Sequence, residues 1–162
     1  MKAKYILPIV VALALLVGVG IMAMALPSKD DQPITITLKE DGATTAKLDF
    51  SASGMIPGDS REYVIHLKGS SGHYALNFQF APTDNNSLKD FVKVTLRHGD
   101  DSYTYSLSEL LTGKTVRLDC VVDDGGVAVV SVIYSMPTDI SNEAQGADAD
   151  FTIDIVAEPR VG

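Results

Sequence analysis

The stretch that decides the fold reads REYVIHLKGSSGHYALNFQF, residues 61–80. In its first half Tyr63, Ile65 and Leu67 fall on one side of an extended chain, with Val64 and His66 on the other. In its second half Tyr74, Leu76, Phe78 and Phe80 alternate with His73, Ala75, Asn77 and Gln79. A period of two is the signature of strands with one dry face and one wet face. The intervening GSSG, residues 69–72, is a tight connection, so the spacing predicts a paired hairpin.

The same period spreads outward in both directions. ITITL (34–38) and TTAKLDF (44–50) lie upstream, before the loop SGMIPGDS with its Pro57-Gly58 turn. Downstream come FVKVTLRH (91–98), SYTYSL (102–107), TVRLDCVV (115–122), VAVVSVIYSM (127–136) and ADFTIDIVA (149–157). HGDD turns the strand at 91–98 into the next. DDGG (123–126) offers the residues that hairpin turns need and predicts a second hairpin between 115–122 and 127–136. APTDNNSLKD (81–90) reads as a loop with one helical turn at 87–91, and SELLTGK as a short turn or cap. Eight or nine short strands with no long helix predict an all-β, antiparallel jelly roll or β-sandwich over residues 34–162.

An N-terminal signal or anchor helix is expected to precede it. Lys2 and Lys4 are followed by an uncharged run from Tyr5 to Leu26, with a small-residue Ala23-Met24-Ala25 site. That is the layout of an export signal, residues 1–25, cut after Ala25. The alternative is an uncleaved anchor, since the run exceeds the ~20 apolar residues that span a bilayer. Either places the remainder outside the cytoplasm, at the cell surface or beyond. Residues 26–33, LPSKDDQP, form a linker. Removing 1–25 leaves 11 Lys and Arg against 21 Asp and Glu, so the net charge moves from −8 to −10. Such an acidic chain repels nucleic acid and anionic lipid. Membrane contact is then expected only through the N-terminal segment, if it is retained.

The residues that carry chemistry are scattered. The single cysteine, Cys120, shares a strand face with Val116, Leu118 and Val122 and reads as a small core side chain. His66, His73 and His98 lie in no HExxH pattern. His66 and His73 flank GSSG and would approach each other on the wet face of a hairpin, where a zinc site lacks a further ligand. No GxSxG and no glycine-rich phosphate loop occur, so no catalytic residue, bound metal or cofactor is assigned. The acidic loop at 139–150 is the one place where calcium stays open, through Asp148 and Asp150. Turn chemistry is the alternative: Asn142 and Gln145 satisfy local backbone groups, and Gly146 permits an unusual backbone angle.

Two blocks carry a family likeness. GMIPGDSREYVIHLKGSSGHYALNF and SVIYSMPTDISNEAQGADADFTIDIVAEP, joined by Leu88-Lys89-Asp90-Phe91, resemble the TasA/camelysin family of exported Gram-positive proteins. In the first block Pro57, Gly58 and Asp59 precede an alternating strand. In the second Asn142, Gln145 and Gly146 lead into the last one. The resemblance implies a jelly-roll subunit of biofilm-matrix or cell-surface fibres, in which an N-terminal strand of one subunit completes the sheet of the next. Ile34, Ile36 and Leu38 are the candidate donor strand, with self-association as the expected partnership. The same strand pairing within its own subunit is equally open. The family's older label of casein-cleaving metalloprotease finds no zinc motif here. A monomeric, adhesin-like binding module, with or without calcium, is the alternative function.

Overall fold

The computed structural model describes residues 21–24, 33–52, 54–140, 144 and 147–160. Ten strands and one helical turn follow the chain. They are β1 (Ile21–Met24), β2 (Ile34–Thr37), β3 (Thr44–Ser51), β4 (Ser60–Lys68), β5 (Gly72–Asn86), β6 (Lys93–His98), β7 (Asp101–Ser106), α1 (Leu107–Leu110), β8 (Thr115–Val122), β9 (Val127–Ser135) and β10 (Ala149–Arg160). They make two five-stranded sheets. Sheet A has the order β1-β3-β10-β5-β8, and sheet B has β2-β4-β9-β6-β7. Pairing from β3 to β8 and from β4 to β7 is antiparallel. The N-terminal strands β1 and β2 lie parallel to β3 and β4. The all-β, sandwich-like expectation therefore holds.

Alternation builds the core. Ile65 and Leu67, then Leu76, Phe78 and Phe80, are buried as their spacing requires. Val94 and Leu96, Val116 and Leu118, and Ile153 and Ile155 join them in one apolar cluster. Around Phe50, Tyr63, Phe80, Tyr134 and Phe151 the core is aromatic, with Phe50 stacked on Phe151 at 5.5 Å and edge-on to Tyr63 at 5.0 Å. Tyr134 Oη lies 2.9 Å from the Ser51 carbonyl and 2.8 Å from Tyr63 Oη. Tyr134 is the donor toward both oxygens, and its single proton is shared between them. Arg61 also donates to the Ser51 carbonyl, at 3.2 Å. This network ties β4 and β9 of one sheet to β3 of the other. Burial, and then the Tyr63 hydroxyl, push the Tyr134 phenol far above its ordinary range.

The two expected hairpins are not hairpins. β4 and β5 lie in different sheets, and so do β8 and β9. GSSG and DDGG are crossovers between layers. β4 pairs instead with β9, and β5 with β8. The two crossovers lie side by side, where Gly69 N–H donates to the Gly126 carbonyl at 3.1 Å. Alternation told which side chains face inward, but not from which sheet. Only 93–98 and 101–106 form the hairpin expected of them.

β5 also runs further than its apolar part, to Asn86, through residues that read as a loop. Its extension pairs Ala81 with Thr152 and Pro82 with Phe151. β8 ends opposite Gln79, so the missing Pro82 N–H has no partner to deprive. At the N-terminus, Ile21–Met24 is extended along β3. The rest of the expected signal or anchor helix, and residues 26–32 of the linker, lie outside the described residues.

Two substitutions test this packing. A Cβ on Gly69 would lie 2.8 Å from the Leu38 Cβ, closer than packed carbons allow. Gly69→Ala is expected to cost about 1–3 kcal/mol in urea unfolding, and an unchanged midpoint would refute the tight crossover. Tyr134→Phe removes the donor to the Ser51 carbonyl and is expected to cost about 1–2 kcal/mol. A variant as stable as the parent would show that the inter-sheet tie contributes nothing.

Candidate functional site

Of the candidate donor residues, Ile34 and Ile36 sit on β2 and Leu38 directly follows it. Ile34, Ile36 and Leu38 are 7%, 3% and 5% exposed, inside their own chain's core. Ile34 lies beside Ile65 and Ile36 beside Leu67, while Thr35 and Thr37 point outward beside His66 and Lys68. The segment that follows is tied down: Leu38 N–H donates to the Lys68 carbonyl at 2.6 Å. Lys39 N–H donates to Thr44 Oγ1 at 2.8 Å. In the single chain, then, this strand completes its own sheet. It contacts that sheet through one neighbour, β4, at the rim.

Pro57, Gly58 and Asp59 form a docked turn. Gly58 has φ +94°, a conformation that favours glycine. Asp59 closes the turn with its own carboxylate, which accepts from Ile56 N–H at 3.0 Å. Gly58 N–H donates to the Met136 carbonyl, and Met136 N–H donates to the Asp59 carbonyl, both at 2.9 Å. The turn therefore clips the entry of β4 to the exit of β9.

Asn142, Gln145 and Gly146 lie outside the described residues. The loop ends in a set of bonds at Asp148 and Ala149. The Asp148 carbonyl accepts from Leu88 N–H and Ser87 Oγ, each at 3.1 Å. Ser87 Oγ lies 3.2 Å from Asp148 N. Beside it the Ala149 carbonyl accepts from Ala52 N–H at 2.8 Å. Backbone bonds thus aim β10. Leu88, which the sequence placed in a helical turn within a loop, is fully buried and anchors this corner.

The histidines do not converge. His66 is on the outer side of sheet B, and His73 is on the outer side of sheet A, so the sandwich separates them. His98 Nδ1 lies 2.8 Å from the Val129 carbonyl. Among the described residues no three His, Cys, Asp or Glu side chains gather into a metal-holding group. An open depression lined by Ser71, His73, Asp123 and Asp124 follows the two crossovers. Exposed ion pairs dot the outer faces, Glu62 with Arg97 at 2.8 Å among them. Sequence reasoning overlooked the pairing of Arg117 and Arg160 with Asp119 on sheet A, at 3.4 and 3.3 Å. The alternate spacing of Arg117 and Asp119 in β8 was the only signal, and Arg160 comes from β10.

Cys120 is buried. Burial, and then the Asp119 carboxylate, push its thiol up to about 11 from an ordinary 9.0. Below pH 9 the thiol is protonated in both folded and unfolded chains and stability is unaffected. Between pH 9 and 11 the unfolded chain loses the proton first, so stability falls by up to about 1.4 kcal/mol per pH unit. Cys120→Ala is expected to flatten that alkaline decline. A thiol-reactive dye at pH 8 is expected to label the protein only after denaturation. Rapid labelling of the native chain would contradict the burial.

No family model matches the chain, and no curated protein is similar to it. Among solved structures it is similar to PRD1 vertex protein P5, at 14% identity and a TM-score of 0.42, over 74% of this chain and 97% of that one. It is also similar to PliG of Aeromonas hydrophila, a periplasmic inhibitor of g-type lysozyme. There the identity is 10% and the TM-score 0.38, over 80% of this chain and 100% of that one. FLHE gives 10% identity and a TM-score of 0.35, over 72% of this chain and 98% of that one. At these values none of the three carries an argument about what this chain does.

Proposed function

We propose that the protein is an exported structural subunit, built on a jelly roll, that self-associates into fibres at the cell surface or in an extracellular matrix. The strand orders support the jelly-roll reading. Numbered from β3, sheet A runs first, eighth, third, sixth, and sheet B runs second, seventh, fourth, fifth. That is the winding of two Greek keys. The likeness of the 57–59 and 142–146 motifs to the TasA/camelysin family supports the fibre reading, and its partner is a second copy of the chain.

The observation that carries the function is the attachment of β2. This strand is held through one edge, at the rim of sheet B, and its three apolar side chains reach into the core. A strand so placed can leave without unpairing any interior strand. Burying such side chains contributes roughly 1.5–3 kcal/mol each, and a neighbour's copy of β2 recovers the same burial. Ile34, Ile36 and Leu38 are then the exchanged residues. In this role the protein performs no catalysis and needs no cofactor.

Charge sets the condition for assembly. The chain carries a net −8, or −10 after export, and its pI is about 4.7. Copies therefore repel one another at neutral pH and less so as acid neutralises their carboxylates. Negative-stain electron microscopy and light scattering of the exported protein between pH 8 and 5 are expected to show fibres appearing as the pH falls. A protein that stays monomeric across that range and at high concentration would overturn the reading.

A further inference from the structure

Sheet A has two long rims, β3 and β8, each eight residues. They run antiparallel, because three antiparallel steps separate them. β1 now covers part of the β3 rim, with Ile21 beside Thr45 and Met24 beside Leu48. β1 belongs to the segment that the sequence reads as removed after Ala25, so the exported chain presents β3 uncovered.

The backbone groups on these rims can be placed. Ala52 N–H donates to the Ala149 carbonyl, one step beyond the Ser51–Asp150 pair. Alternation along the ladder then aims the backbone groups of Ala46, Leu48 and Phe50 at β10 and those of Lys47 and Asp49 at the β3 rim, while the Ser51 carbonyl is held by Tyr134 and Arg61. Carried through the registers of β10, β5 and β8, the same alternation turns Thr115, Arg117, Asp119 and Val121 to the opposite rim. The side chains of Lys47, Asp49, Arg117 and Asp119 are exposed on the outer face.

We propose that β8 of one copy pairs antiparallel with β3 of the next, continuing sheet A from subunit to subunit. This rests on the self-association reading above and adds to the exchange of β2 a second contact between copies. In this register the ladder starts where Thr44 meets Val122. Lys47 then stands opposite Asp119, and Asp49 stands opposite Arg117. On the inner side Leu48 meets Leu118 and Phe50 meets Val116, so the buried row runs on across the junction. A slip of two residues sets Lys47 against Arg117, or Asp49 against Asp119. A slip of one turns every side chain to the wrong face. Opposite charges facing across a ladder stabilise it and like charges disfavour it, so the charges choose one register.

The contact joins two different rims and therefore does not close on itself as a two-fold dimer. Sheet B includes a β2, its own or a neighbour's, and is one strand, about 4.8 Å, wider than the uncovered sheet A. Successive copies must rotate as well as advance, and the chain winds.

The test uses protein secreted from the full-length gene and purified from the medium, with assembled mass read by sedimentation velocity. K47D/D49K and R117D/D119K each set like charges against each other, and each alone is expected to weaken assembly about tenfold or more. Mixed in equal amounts, each variant offers the rim that the other lacks, and assembly is expected to return. The chain carrying all four changes is expected to assemble like the parent. Circular dichroism melts confirm that the variants fold, and a misfolded pair leaves the four-fold variant to decide. If both pairs assemble like the parent, or folded mixtures stay monomeric, this contact is wrong while self-association stands. A parent chain that never assembles overturns both.

Discussion

Leu48, Leu76 and Ile153 of one sheet and Ile65, Val94, Val130 and Val132 of the other are wholly shut off from water. Neither sheet can do this alone, because each presents a dry face that only the opposite sheet covers. The chain has one cysteine and hence no internal disulfide, so this mutual burial is what holds the domain together. Turns, crossovers and corners are arranged to permit it. Gly69 lacks a side chain because Leu38 occupies the space beside it. α1 is a single turn, capped by Ser106, that seats Leu107 and Leu110 in the core between β7 and β8.

Polar groups enter the interior where they bind one layer to another. The Tyr134 hydroxyl carries the most connections, because it reaches Tyr63 within its own sheet and Ser51 in the other. The Pro57-Gly58-Asp59 turn works within one sheet, exchanging backbone bonds with Met136 between the entry of β4 and the exit of β9. The Tyr134 contacts define how the sheets are stacked, and the apolar core supplies most of the driving force. The acid and base side chains are spread over outer faces and turns. That distribution leaves the sheet margins as the surfaces with the most specific physical character.

Those margins give the proposed function a mechanism. An uncovered strand rim carries unpaired N–H and C=O groups, and natural sheets often protect such rims with charge. Here the charges on β3 and β8 alternate in sign along each strand. A single rim read alone suggests protection. The two rims read together are complementary, and the same residues that deter random pairing can select a copy of the same chain.

Strand positions and the inward face of each strand were legible in the sequence, because a buried side chain on a strand recurs every second residue whatever it packs against. Cys120 in the core, and the turn at residues 57–59, were legible for the same local reasons. Partnership was not. Residues 61–80 look like a hairpin, yet they bridge two sheets, since alternation is identical whether neighbours in sequence pair or part company. The tail of β5 was hidden because its order comes from β10, some 70 residues away, and not from its own Pro82 and Asn86. The alignment of Lys47 and Asp49 on one rim with Arg117 and Asp119 on the other was likewise invisible, since only the folded order of strands makes them the two ends of one sheet. The local pattern decides what each residue must hide, and long-range pairing decides where it hides it.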